Sequence, residues 1–184
     1  MRQRNIVESR FSETFFIRSC MIEKGLYYAT REFAGVIKGV GGFWGDIKHR
    51  PIVCLVQSNE NPLLFWAIPM GNFKHQSPEN QDKIQNWMLL PERDIRSCYY
   101  HVGRTTNKSL FFISDAFPIT DKYIAGQHLD ANKNHYIIKN PNLIAELDRK
   151  LKRLLALENS NPNSFRQHIS ATKEYLLNEL AKDF

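Results

Sequence analysis

Lysine and histidine stand side by side at positions 74 and 75, where the apolar run LLFWAIPM (63–70) gives out into Gly-Asn-Phe. Other cations and imidazoles gather around apolar runs in the same way. Lys48, His49 and Arg50 lead into RPIVCLVQ (50–57), His101 and Arg104 lie in CYYHVGR (98–104), and Lys108 and Ser109 open KSLFFISDAFPI (108–119). RNA cleavage needs such groups. The ribose 2′-hydroxyl is an internal nucleophile, so the protein must help remove its proton, stabilise extra negative charge on phosphorus and protonate the leaving 5′-oxygen. Histidine transfers protons near neutral pH. A preorganised lysine or arginine meets the charge that develops on the phosphorane. The aromatics Tyr27, Tyr28, Trp44 and Phe73 add faces on which splayed bases can stack, worth roughly 1–3 kcal/mol each.

Each of these residues also has a plainer reading. A lysine or histidine just past a strand is what a solvated loop contains. His101 follows Tyr99-Tyr100 and fits a partly buried, hydrogen-bonded histidine as well as an acid. His128 and His135 read as structural. The acids are scattered, with Asp115 alone beside a strand end, whereas a two-metal nuclease concentrates its carboxylates. No metal and no cofactor is expected. The glycines at 39, 41, 42 and 45 place Trp44 where a dinucleotide fingerprint needs glycine, and no Gly-Lys-Ser/Thr follows.

The elements that must hold these groups are mostly strands. GLYYA (25–29) reads as a strand, and Phe33, Val36, Ile37 and Val40 repeat as a short helix does. RPIVCLVQ and LLFWAIPM form a β-hairpin across SNENP. KHQSPENQ reads as a turn, and DKIQNWMLLPERDI as a two-turn helix stopped before Pro91. CYYHVGR and KSLFFISDAFPI make a second strand pair, and HYIIK (135–139) a last strand. Asn140-Pro141 caps a helix with Ile144, Leu147, Leu151, Leu154 and Leu155 on one face. Asn161-Pro162 is expected to start a second helix and complete a helical hairpin. The expected organisation is one domain over 1–184: a basic N-terminal arm (1–24), a β-rich core (25–139) and C-terminal helices (140–184).

The bulk numbers set the class of partner. The 184 residues carry a net charge of +6, with nine Lys/Arg against five Asp/Glu in residues 1–50. That surplus points to an anionic partner near the N-terminal part. Three widely spaced cysteines with no CxxC pair argue against a disulfide framework or zinc knuckle and suit a reducing cytoplasm. No run is long enough for a signal peptide or a bilayer span, so no membrane partner is expected.

The order RPIVCLVQ, turn, LLFWAIPMGNFK, KSLFFISDAFPIT and terminal helices resembles the type III toxin–antitoxin endoribonucleases of the ToxN/AbiQ group. The resemblance implies an α+β protein: a compact antiparallel β-barrel of MazF/PemK type with added helices. It also implies metal-independent cleavage of single-stranded RNA to a 2′,3′-cyclic phosphate, inhibition by a small structured RNA antitoxin, assembly as a protein–RNA oligomer and a role in phage defence. Pro69-Met70-Gly71-Asn72-Phe73-Lys74 keeps that group's proline-to-lysine distance, so Lys74 takes the catalytic lysine position. Gly71 and Asn72 replace a Thr-Ser pair. On this reading His75 and His101 are acid/base partners, Asn72 and Ser109 position the phosphate, and Lys48, Arg50, Arg104 and Lys108 hold the RNA backbone. Two other readings stay open: a non-catalytic RNA-binding module, and a mobile-element protein whose helices bind a protein partner.

Overall fold

The computed structural model describes residues 21–44 and 50–182. Residues 1–20 of the expected arm, Lys48 and His49 lie outside the described residues. The fold is α+β. Its strands are β1 (Gly25–Ala29), β2 (Ile52–Gln57), β3 (Leu64–Asn72), β4 (Tyr100–Arg104), β5 (Lys108–Phe112), β6 (Phe117–Thr120) and β7 (Ile124–Gln127). The helices are α1 (Arg31–Gly39), α2 (Pro78–Met88), α3 (Pro141–Ser160) and α4 (Ile169–Lys182).

The strands form one antiparallel sheet in the order β4-β5-β3-β2-β1-β7. The expected hairpin of β2 and β3 is its centre, with Ile52 opposite Pro69 and Gln57 opposite Phe65. Because β3 is long, its second edge holds two partners in succession, β6 along Leu64–Ala67 and β5 along Met70–Asn72. KSLFFISDAFPI is therefore two strands, not one. A 3₁₀ turn at Ile113–Asp115 takes the backbone off β3, and the Ser114 N–H donates to the Tyr99 carbonyl at 3.1 Å. The buried Gln167 amide then donates to the Ser114 and Ala116 carbonyls at 3.0 and 2.6 Å. Carbonyls released by the break are thereby satisfied from a distant loop.

The expected closed barrel is corrected. Among the described residues the end strands β4 and β7 do not pair, and the sheet stays open. HYIIK, the strand that was to extend it, contributes only isolated bridges, Gly25 to Ile137 and Leu129 to His135. The last strand is instead β7, antiparallel to β1.

Alternation along the strands divides the core between two faces. Val53, Leu55, Ile68 and Met70 face Leu143, Leu147, Leu151 and Leu154 of α3. Ile52, Cys54, Phe65 and Ala67 face Phe33 and Ile37 of α1 and Leu176 of α4. Asn140 caps α3 as expected, its side chain accepting from the Asn142 and Leu143 N–H groups. The start of the second helix is corrected: α4 begins at Ile169, packed with the α3 leucines, reaches the other core cluster at Leu176, and does not start after Asn161-Pro162. Asn163 and His168 have φ of 60° and 47°, in the left-handed region that an α-helix cannot run through. Ser77-Pro78 likewise begins α2 earlier than its polar sequence suggests, with the Ser77 Oγ accepting from the Asn80 N–H. Among the described residues no helix is long and apolar enough to cross a membrane.

Candidate functional site

The end of β3 is where polar groups converge. Asn72 pairs with Ser109 of β5, and Ser109 in turn pairs with Gly103 of β4. That register brings the β4–β5 turn, Thr105–Asn107, against the last residue of β3. Thr105 Oγ1 and Ser109 Oγ lie 2.6 Å apart. From β1 and the loop after β7 come Tyr28 and His128, with the tyrosine oxygen 2.6 Å from His128 Nδ1. Asn72, Thr105, Asn107, Ser109, His128 and Tyr136 are among the residues lining a cavity of about 160 Å³. Asn72 also caps the following 3₁₀ turn, its Oδ1 accepting from the Lys74 N–H at 2.9 Å. Its amide NH₂ makes no bond to the described residues and is left as a donor.

Cations gather at this end of the sheet, and two of them, Arg104 and Lys108, alternate with Gly103 and Ser109 and so point to the α2 face, away from the cavity. Lys74 and His75 are exposed on the 3₁₀ turn that follows β3. Arg104 and Lys108 sit directly opposite one another where β4 and β5 leave the sheet. Like charges facing across a strand pair disfavour folding, and no ion pair offsets either of them among the described residues. An anion at this end of the sheet removes that cost.

Burial decides which of the other expected residues belong here. Phe73 and Tyr27 are corrected: each is buried, Phe73 with Ile84 and Leu110 beneath the 3₁₀ turn and Tyr27 with the α1 core. Neither ring offers a face to a base. Lys108 Nζ lies 4.4 Å from the Phe73 centroid, so Phe73 acts as a seat for a cation. Tyr28 is half-buried and meets the cavity through His128. Trp44 and Arg50 line a different, larger cleft, with the Arg50 guanidinium 5.4 Å from the Phe112 centroid.

His101 is also corrected as an acid/base partner of Lys74. Its backbone pairs with Phe111, and its ring lies towards Glu146, Arg149 and Lys150 of α3. Nδ1 is buried without a hydrogen-bond partner. Burial first, and then the Lys150 charge, push its pKa down to about 4. The ring is neutral at pH 7 and so is no general acid there. Protonation instead disfavours the fold: the unfolded chain binds this proton from about pH 6.5, the folded chain only near 4, so the contribution is full above 6.5 and lost on the way down to 4. Screening at the partly exposed ring limits the effect to about 1–2 kcal/mol between pH 7 and pH 5. Urea unfolding at the two pH values is expected to show that loss in the unmutated chain and a smaller one in His101→Gln.

No family model and no curated protein matches the chain. The site therefore rests on its own residues.

His128, Thr105, Thr106, Asn107 and Tyr136 are what the sequence reading missed. His128 lies outside every strand, in a polar stretch, and nothing local distinguishes it from a structural histidine. The β4–β5 turn carried a signal: Arg104-Thr-Thr-Asn-Lys-Ser109 packs hydroxyls between two cations. His128 has its pKa lowered, chiefly by burial and then by the nearby His135, so it is held as the neutral base near pH 7. His135 is structural as expected, its Nε2 2.9 Å from the Leu26 carbonyl oxygen. Among the described residues, no three His, Cys, Asp or Glu side chains come together in a group that could hold a metal ion.

Proposed function

We propose that this chain is an endoribonuclease toxin of the ToxN/AbiQ kind, on a fold derived from the MazF/PemK barrel. It cuts single-stranded RNA in the cytoplasm to a 2′,3′-cyclic phosphate without a metal, and a small structured RNA holds it inactive. One observation carries this reading: a hydroxyl pair, an amide and a tyrosine-held histidine share one cavity at the end of β3, with the exposed Lys74 and His75 on the turn that follows. The hydroxyls absent at Gly71 and Asn72 are supplied on this reading by Thr105 and Ser109 across the sheet register.

The tautomer with Nδ1–H donating to the Tyr28 oxygen leaves the Nε2 lone pair of His128 for substrate. That nitrogen takes the 2′-hydroxyl proton as the 2′-oxygen bonds to phosphorus. Whichever hydroxyl of the Thr105–Ser109 pair does not donate to the other donates with the Asn72 amide to the non-bridging oxygens, and Lys74 offsets their added charge. The bond to the 5′-oxygen then breaks and His75 protonates it.

Incubation of the purified protein with single-stranded RNA in EDTA tests the proposal. Cleavage leaving cyclic phosphate ends is expected, and Lys74→Ala should slow it about 10- to 100-fold. RNA bound but uncut by the unmutated protein overturns the enzyme reading in favour of a binding module. Weak association indifferent to salt points to a protein partner instead, because phosphate contacts must weaken as salt rises.

A further inference from the structure

The larger cleft lies across the sheet from the polar cavity. Pro69 lines the cleft while the next residue of β3, Met70, lines the cavity, and consecutive strand residues point to opposite faces. The cleft measures about 620 Å³, within the roughly 300–1,000 Å³ typical of small-molecule sites. Its walls are aromatic. The Trp87 ring of α2 lies 5.8 Å from Tyr100 with their planes 32° apart, and 5.7 Å from Tyr99 at 71°. Tyr100 meets Phe112 edge-on at 6.2 Å.

Cations and amides share these walls. Lys83 stands four residues before Trp87 on the same helix face, its Nζ 4.6 Å from the Trp87 centroid. Among the described residues Lys83 has no ion-pair partner. Arg50 lies over Phe112, and Arg166 is held at the cleft by Asp115 at 2.6 Å. The Gln76 and Asn80 side chains and the Tyr100 hydroxyl add hydrogen-bonding edges. Burial, and then the Asp115 charge, raise the Tyr100 pKa, so its hydroxyl stays a donor at neutral pH.

We infer that this cleft binds one unstacked nucleotide, its base against Trp87 and Tyr100 and its phosphate at Lys83. Flat rings fit a base of any sequence, the amides and the phenol read its edge, and Lys83, over the edge of this aromatic wall and without an acid partner among the described residues, meets the phosphate. The inference rests on the RNA reading above and deepens it: the cleft is a subsite for a nucleotide separated from the scissile phosphate by the β3 backbone.

Titration followed by tryptophan fluorescence tests it, because Trp87 and Trp44 both line the cleft. The probes are the four ribonucleoside 5′-monophosphates and a short 2′-O-methyl oligonucleotide, which lacks the hydroxyl needed for cleavage. Saturable quenching is expected, with Trp87→Ala and Lys83→Glu each weakening binding about tenfold and Trp87→Phe keeping most of it. Tighter binding of the oligonucleotide assigns the cleft to an RNA strand, and equal binding assigns it to free nucleotides. Lys83 is exposed, so Lys83→Glu remains informative where Trp87→Ala fails to fold. Absence of quenching, or unchanged affinity in folded Lys83→Glu, overturns the inference. RNA cleavage indifferent to both substitutions removes the subsite and leaves the cleavage reading intact. Nucleotide binding that depends on Trp87 and Lys83 in a protein that does not cut RNA does the reverse.

Discussion

Replacing His128 by alanine is expected to slow RNA cleavage by about 10²–10⁴-fold, the usual range for a general base or acid. RNA affinity should stay nearly unchanged, since Lys74, Arg104 and Lys108 are untouched. The size of the effect follows from how the imidazole is held. One nitrogen is tied to Tyr28 at 2.6 Å, which orients the ring and leaves a single nitrogen for the 2′-hydroxyl. Tyr28→Phe keeps the ring in place without that tether and should cost less than His128→Ala. Because burial lowers the His128 pKa, the acid-side fall of the cleavage rate should come below the pKa of a free histidine, about 6.5. Single-turnover rates across pH measure both effects. An unmutated profile with no acid-side fall, or a His128→Ala protein as fast as the original, removes His128 from the mechanism and returns attention to His75.

The second large effect is on stability. Glu158 is 1% exposed, and its carboxylate accepts from the Asn163 and Ser170 N–H groups and from the Ser164 and Ser170 hydroxyls, at 2.6–3.2 Å. These bonds hold the loop between α3 and α4 and set where α4 begins. Alanine would leave several donors without an acceptor in a buried site, a cost of about 2–4 kcal/mol. For a chain of this size that corresponds to a fall in Tm of roughly 4–16 °C. Burial alone would raise the Glu158 pKa, yet the four donors together hold it below the ordinary value. Its contribution is therefore full above the unfolded carboxylate pKa and lost as pH falls through the folded one. Thermal melts at pH 7 and in acid check both points: the gap between the unmutated chain and Glu158→Ala should be wide at pH 7 and narrow in acid. A gap below about 1 °C at pH 7 would show that the loop does not depend on this carboxylate.

Much of the scaffold was legible in local pattern. The β2–β3 hairpin, α1, the Asn140 cap of α3 and the stop of α2 before Pro91 follow from apolar periodicity, turn residues and capping, which act within a few residues. The misread elements depend on distant partners. KSLFFISDAFPI has the composition of one strand, and it breaks where Gln167 and the Tyr99 backbone take up the polar groups of Ser114 and Ala116. HYIIK has strand composition too, but it meets β1 at a single bridge, Gly25 to Ile137.

The site divides along the same line. Sequence reading offered Asn72, Lys74, Ser109, Arg104 and Lys108, because residue type and position beside a strand end are local properties; of these, Asn72 and Ser109 line the cavity. It also offered Tyr27, Phe73 and His101, and here residue type misled, since burial depends on what packs opposite. Tyr27 and Phe73 face the core, and His101 lies against α3. His128 was passed over because its meaning comes from Tyr28, one hundred residues earlier. The chain's order of residues thus determined the basic surplus, the strand ends that carry cations and the helices' caps, all consequences of short-range chemistry. Only the tertiary structure decided that the sheet stays open, that α4 begins at Ile169, and that Thr105, Ser109 and His128 share the cavity with Asn72. Register and burial bring those groups together, and both depend on contacts between residues far apart in the chain.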